Sequence, residues 1–521
     1  MAFNTLIFVL FFGIVVIGSF IVPAKWKWMF LLASSYFFYF YASAKFGIFI
    51  ILTTVTSYLA ALYIGKQHEL EKSDGVTKED KKHLKSQRKR MLVGLLLLNF
   101  GILFVLKYFN FFSENLNYLL NSLSFGGNIP KLNLILPLGI SFYTFQTMSY
   151  VIDVYWGKVK PERNLAKVAL FVSFFPQILQ GPIGRYKDLA PQLYAPKKAS
   201  YEDLKFGLQL MMWGYFKKMI IADRAAVIAN YVFDNYFHVS GMGVVFGVFM
   251  YAIQDYTDFS GCIDIARGCA QTMGITMAEN FRRPYFSKTV SEFWRRWHMS
   301  LGAWMKDYVF FPFSLTKGVS KLGKFAKKKF GKHIGRTLPI ALGNLLVFFL
   351  VGVWHGASWN YIIWGIFYGL LIAISGMMKP VFNWMNKTLH INTKSNAFQL
   401  FQILRTFWIT CVGCIIFRAA TLTNAWDIFI KTFRFYEMPA LFHKEFLGMG
   451  LRGLDMIVLL CGLVILFIID VMQERGSVRE RVSMKPIYIR WALYIVAFII
   501  ILLLGMYGPG YDQNQFVYMQ F

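Results

Sequence analysis

Long apolar runs separated by short polar segments dominate the chain. An α-helical bilayer crossing takes about 20 mostly apolar residues. Runs of that kind recur from end to end: Phe3–Val22, Trp26–Ser43, Phe46–Gly65, Met91–Phe112, Leu134–Asp153, Leu204–Ala222, Gly241–Cys262, Phe401–Ala420, Leu454–Met472 and Ile487–Tyr507. Thr337–Met378 is long enough for two more. The pattern predicts an all-α polytopic membrane protein with roughly 11–13 transmembrane helices. The first run has neither a basic n-region nor an A-x-A-like cleavage site, so it reads as a retained span and not a signal peptide. Two stretches suit dipping better than crossing. Glu292–Pro312 carries Arg295, Arg296, Lys306 and Asp307, and Val168–Tyr186 is interrupted by Pro176, Gly181 and Pro182. No polar stretch is long enough to build a soluble domain. The expected organisation is one membrane domain over 1–521, with N-terminal spans in 1–153, a core in 154–378 and C-terminal spans in 379–521.

Composition agrees and adds a sign. Apolar residues make up 56% of the 521 positions and charged ones only 16%, while 55 Lys+Arg face 27 Asp+Glu for a net charge of +28. That is too apolar for disorder, and five cysteines are too sparse for a disulfide scaffold. A basic chain suggests nucleic acid, but the aromatic residues here lie in the apolar runs, so no nucleic-acid partner is expected. The basic residues concentrate instead in Lys66–Arg90 with nine, Ser314–Arg336 with eight and no acid, and Gln473–Arg490 with five. Lys and Arg in short loops stay in the cytoplasm. Placing all three segments there puts both termini on the extracytoplasmic side. The simplest use of this charge is topology and contact with anionic lipid; a phosphate-rich cytosolic ligand could share it.

Within the 42 residues of Thr337–Met378 there is no Lys, Arg, Asp or Glu, and one His, His355. An ionisable group inside a membrane segment is costly and points to function, and imidazole suits proton transfer near neutral pH. A histidine that hydrogen-bonds two helices together fits the bare pattern equally well. In the second constellation, Glu292–Tyr308, Trp294, Trp297, Leu301 and Trp304 recur at helical spacing beside His298; an interfacial helix with snorkelling arginines is the competing reading. A third group, Asp255, Asp258 and Asp264, either lines a polar cavity or caps the end of a span. Cys411 and Cys414 read as packing residues, and no metal cluster is expected among the scattered histidines. Gly318-x4-Gly323-Lys324 has a Walker A outline, but Phe325 stands where a hydroxyl must reach magnesium.

Trp294–Tyr308 and Trp354-His355-Gly356, 57 residues apart by their histidines, resemble the membrane-bound O-acyltransferases. More narrowly they resemble the bacterial alginate O-acetyltransferase and teichoic-acid D-alanyl transfer branch. Pro137–Tyr143, Phe174–Gln177 with Gly181-Pro182, Phe216–Lys218, Asp258–Gly261, Glu279–Phe281 and Tyr518–Phe521 support the likeness. The resemblance implies a ring of helices around a tunnel in a bacterial cytoplasmic membrane. It implies His355 as the catalytic base and His298 as the residue that orients the donor or stabilises the oxyanion. Arg295, Arg296, Trp304 and Asp307 would contact the donor. Asp258, Asn280, Gln180 and Trp354 would line the tunnel. No bound cofactor is implied; the co-substrate would be a cytoplasmic acyl thioester, acetyl-CoA or an acyl carrier. The partners would be an extracytoplasmic SGNH-type protein and an exported glycan. The length and the Tyr518–Phe521 ending look alginate-type. Phe313–Lys317, in place of a Gly-Gly-Asn-Arg-like turn, departs from it. D-alanyl transfer to teichoic acid is the alternative within the class, and a transporter with His355 as a proton relay is the alternative outside it.

Overall fold

The computed structural model describes residues 3, 5–126, 128–178, 180–195, 200–434 and 448–507, which form helices joined by short connections, with no strand among them. The Tyr518–Phe521 ending lies outside the described residues. Among the described residues, seven helical segments are long and apolar enough to cross a bilayer: Ala44–Glu71, Lys78–Ser122, Lys317–His355, Trp359–Met377, Asn396–Arg418, Gly453–Glu474 and Ile487–Leu504. The remaining predicted spans appear as helices outside that group, among them Leu6–Ile21, Ala24–Ser43, Ile140–Tyr155 and Gly241–Thr272. The chain divides into two compact units, Met1–Leu208 with Ala266–Ala278 and Gln209–Ile265 with Glu279–Phe521.

In the first unit, Lys78–Ser122 is 45 residues long, and a reciprocal capping box between Thr77 and Asp80 starts it. At about 1.5 Å per residue it exceeds the bilayer's hydrocarbon thickness, so its basic first turns extend beyond the apolar part. Arg88 in those turns is buried against Glu71 at 2.5 Å and against the His68 ring at 2.7 Å. The stretch expected to dip is a pair of short helices, Leu165–Ser173 and Phe175–Ile178, and Val168–Ile178 is buried throughout. Broken backbone there is covered by protein, as an apolar environment requires.

In the second unit, a π-helical turn over Phe216–Ala222 precedes the helix Asp223–Asp234 and buries both Lys217 and Lys218. Buried charge has to be paired. Lys217 meets Asp264 at 2.7 Å, and Lys218 meets Asp258 at 2.5 Å and Asp223 at 2.8 Å. Both Asp258 and Asp264 lie inside the helix Gly241–Thr272, which continues past them. They therefore do not cap a span.

The Glu292–Pro312 stretch does not form a spanning helix. It breaks into Val290–Arg296, Met299–Met305 and a π-helical turn Lys306–Phe310, followed by Phe311–Ser314. The long apolar run Thr337–Met378 breaks once, at Gly356–Ser358, between Lys317–His355 and Trp359–Met377. Ser358 caps the second helix through the Asn360 N–H. The two helices pack closely through glycines: a Cβ on Gly352 would strike the Tyr361 carbonyl oxygen, and one on Gly365 the Phe348 carbonyl oxygen. Small residues permit such close approach in membrane helix pairs.

Candidate active site

The break after His355 makes it the last residue of its helix, with Gly356 extended behind it. Its side chain is buried, 4% exposed. The ring stands edge-on to Trp354 at 5.0 Å, Trp364 at 5.0 Å and Phe417 at 5.1 Å between centroids. Asn360 fixes this end of the helix pair by donating to the Ile416 and Ala419 carbonyls, at 3.2 and 2.7 Å, at the end of Asn396–Arg418. Those contacts bring Phe417 to the imidazole.

His298 occupies the left-handed turn between two short helices, with φ +45°. It is 3% exposed. Its Nδ1 lies 3.2 Å from Asn280 Oδ1, which also accepts from the Ser300 N–H at 2.9 Å and the Ser300 hydroxyl at 2.8 Å. The Asn280 carbonyl accepts from the Met299 N–H at 2.9 Å. Because the Ser300 backbone N–H can only donate, the atom facing it must be the amide oxygen, and Nδ1 of His298 must carry the proton. Nε2 is then the nitrogen with the lone pair. Burial pushes the imidazole pKa down to about 3, so the ring is neutral at physiological pH. Phe259 stands edge-on to it at 4.9 Å. Trp354, which touches His355, is 5.9 Å away by ring centroids. One indole therefore contacts both histidines.

A cavity of about 500 Å³ has His298 in its wall, together with Arg295, Lys306, Asn344, Phe348 and Trp294. His355 is not in that wall. A void of about 20 Å³, with Asp255 in its lining, shares Trp294 and Trp297 with the large cavity; Trp364 and Phe417, which enclose His355, also line it. The structure therefore groups His298, Arg295, Asn280 and Trp354, with His355 across the indole.

Other predicted site residues stand elsewhere. Arg296 is held by Glu292 at 2.8 Å and Glu474 at 2.9 Å, and does not line the cavity. Trp304 is buried against Tyr308 at 5.1 Å, and Asp307 sits in the π-helical turn; neither lines the cavity. Asp258 is the partner of Lys218 and is not among the residues that line this cavity. Gln180 is buried in the first unit, and the other candidates belong to the second. Sequence reasoning missed Ser300, Lys306, Asn344, Trp364 and Phe417 as site residues. Asn344 carried a usable signal, an amide in the middle of an apolar run. Trp364 and Phe417 carried none, because aromatics are common throughout this chain.

The sequence profile of the membrane-bound O-acyltransferase family matches residues 161–417, which include both histidines. The chain is 33% identical over 437 residues to a probable alginate O-acetylase AlgI of Pseudomonas syringae pv. tomato, covering 84% of this chain and 76% of that protein. It belongs to the membrane-bound O-acyltransferases. A peptidoglycan O-acetyltransferase of Helicobacter pylori is 28% identical, over 81% of this chain and 78% of its own. A teichoic acid D-alanyltransferase of Bacillus subtilis is 32% identical, over 55% of this chain and 70% of its own. This O-acyltransferase is thus an enzyme, and the transporter reading falls.

Proposed function

We propose that this O-acyltransferase takes an acetyl group from a cytoplasmic thioester, acetyl-CoA, and delivers it across a bacterial cytoplasmic membrane for O-acetylation of an exported cell-surface polysaccharide. The observation that carries the reading is the pair of buried histidines on either side of Trp354, one of them in the wall of a cavity of about 500 Å³. Similarity to the alginate O-acetylases over most of both chains supports acetyl as the group and a polysaccharide as the destination. D-alanyl transfer is the second reading, supported by the shorter-reaching similarity to the teichoic acid enzyme.

In the proposed reaction, His355 takes the proton of the acceptor hydroxyl as its oxygen attacks the thioester carbonyl. The tetrahedral intermediate then expels the thiolate, which recovers that proton from His355. No net proton is consumed. General-base assistance of this kind is worth about 10²–10⁴-fold. With its Nδ1–H committed to Asn280, neutral His298 offers a lone pair at Nε2 and so accepts a hydrogen bond instead of donating one to an oxyanion. Its role is therefore to orient a donor or acceptor N–H or O–H in the cavity. Arg295 and Lys306 supply positive charge for the donor's phosphates. The three basic segments face the cytoplasm and both termini lie outside. An extracytoplasmic SGNH-type protein passes the acetyl group on or works beside this enzyme.

Mass analysis of the cell-surface glycan with and without the gene tests the reading. Loss of acetyl esters is the expected result. Loss of alanyl esters would transfer the assignment to the second reading. Release of free CoA thiol by purified protein, dependent on an acceptor glycan, tests the donor directly.

A further inference from the structure

The basic segment that departs from the alginate-type pattern is a helical hairpin. Lys317–His355 is two helices joined at a non-helical residue, Gly331, at φ +87°. The chain reverses there, because a Cβ at Gly335 would collide with the backbone of Lys327, and one at Gly323 would lie 3.0 Å from the Pro339 ring. The first arm buries only Val319, Gly323 and Ala326, small residues three or four apart that let the arms approach. All eight basic residues of Ser314–Arg336 point outward and are exposed. None of them makes an ion pair among the described residues. The other long basic segment differs. Lys66–Arg90 contains five acids, and its Lys85 and Arg88 both pair with Glu71.

Charge is not the hairpin's only exposed feature. Phe325 is 58% exposed and Phe330 59%, with Leu315 and Leu322 also outward. The Lys329 ammonium lies 6.0 and 5.5 Å from the two phenyl rings. The second arm continues into the apolar part of a candidate span, so this surface is covalently fixed at a bilayer boundary. A topological signal requires positive charge and nothing more. A soluble acidic partner gives no reason for bare phenylalanines at the root of a span. Cations interleaved with exposed aromatic and aliphatic side chains match an anionic headgroup layer lying over acyl chains. We infer that the Lys317–Arg336 hairpin is a docking surface for anionic phospholipid. The second arm of the hairpin runs on to His355, so headgroup contact also anchors the helix that carries the proposed base.

Two full-length variants separate this from simple charge: K327Q/K328Q/K329Q and F325S/F330S, the second with every cation intact. Each is purified in detergent, checked for an unchanged melting temperature without added lipid, and titrated with palmitoyl-oleoyl phosphatidylglycerol or phosphatidylcholine under native mass spectrometry. Wild type is expected to retain phosphatidylglycerol over phosphatidylcholine. The triple variant is expected to lose at least about tenfold of that preference. The phenylalanine variant is expected to lose a smaller but measurable share. No preference in wild type overturns the inference, and so does an undiminished preference in the triple variant. A phenylalanine variant identical to wild type also overturns it, reducing the hairpin to a charge signal. Capture of a soluble acidic protein by the hairpin with no lipid preference would overturn it in favour of a protein partner.

Discussion

His355 and His298 are both buried, and both touch Trp354, yet the chain builds their surroundings from opposite materials. His355 ends a long apolar helix and stands among aromatic edges. His298 sits in a strained turn whose neighbours are an amide and a serine, and it faces a cavity. The Asn280 acceptor keeps the proton of His298 on Nδ1, so that ring presents one unchanging lone pair at Nε2. His355, at the break between two apolar helices, is the proposed base. The two roles predict unequal consequences when each site is broken.

The largest effect belongs to the base. His355→Ala is expected to lower acyl transfer by about 10²–10⁴-fold with normal membrane expression. His298→Ala should cost less, on the order of 10–10²-fold, because it loses positioning and not proton transfer. Rates of thiol release by the two purified variants check this. Equal losses would erase the distinction between the two histidines.

The next test acts on the cradle. Asn280→Asp keeps an acceptor at Nδ1 but adds a negative charge, which raises the pKa of His298 from its depressed value of about 3. As pH falls through the raised value, the imidazolium forms and Nε2 changes from acceptor to donor. The acid limb of the kcat/KM profile should therefore move to higher pH in Asn280→Asp, while wild type shows no limb from this group above about pH 5. Asn280→Ala instead leaves the Ser300 N–H and His298 Nδ1–H buried without their acceptor, at about 1–3 kcal/mol each. It should lower both stability and rate, with no such pH shift.

The pair Arg295 and Arg296 shows how much of the site the sequence carried. Adjacent and chemically identical in the chain, they read alike. In the structure one lines the cavity and the other is occupied by Glu292 and Glu474, and the second of those acids is 178 residues away. Long-range pairing of this kind is invisible to local pattern. The same holds for Asp258, whose partner Lys218 is turned inward by a π-helical turn that propensity does not announce. What was legible was periodic or anomalous: apolar runs, their sided charge, and a single histidine in a run free of Lys, Arg, Asp and Glu. The break at Gly356–Ser358 that sets the position of His355 was only partly legible, since several glycines in that run could have supplied it. Accordingly, Arg295→Gln with Lys306→Gln should raise the KM for acetyl-CoA by roughly 3–10-fold at similar kcat. Arg296→Gln should leave KM unchanged and lower the melting temperature. A KM effect at Arg296 would return it to the donor site.

The smallest expected effect tests whether the cradle works through one atom. Asn280 Oδ1 accepts three hydrogen bonds, and Ser300→Ala removes only the one from the hydroxyl, at 2.8 Å. The Ser300 N–H still faces the amide oxygen, so the amide cannot turn over, and the proton on His298 stays on Nδ1. The lost bond is neutral to neutral, so the cost should be about 1 kcal/mol of stability. Activity should change by less than about threefold, because the orientation of the imidazole is retained. Thermal unfolding and steady-state rates of the purified variant measure the two separately. If Ser300→Ala lost as much activity as Asn280→Ala, the hydroxyl itself would have to act on the substrate, and His298 would no longer be the group that the cradle exists to hold.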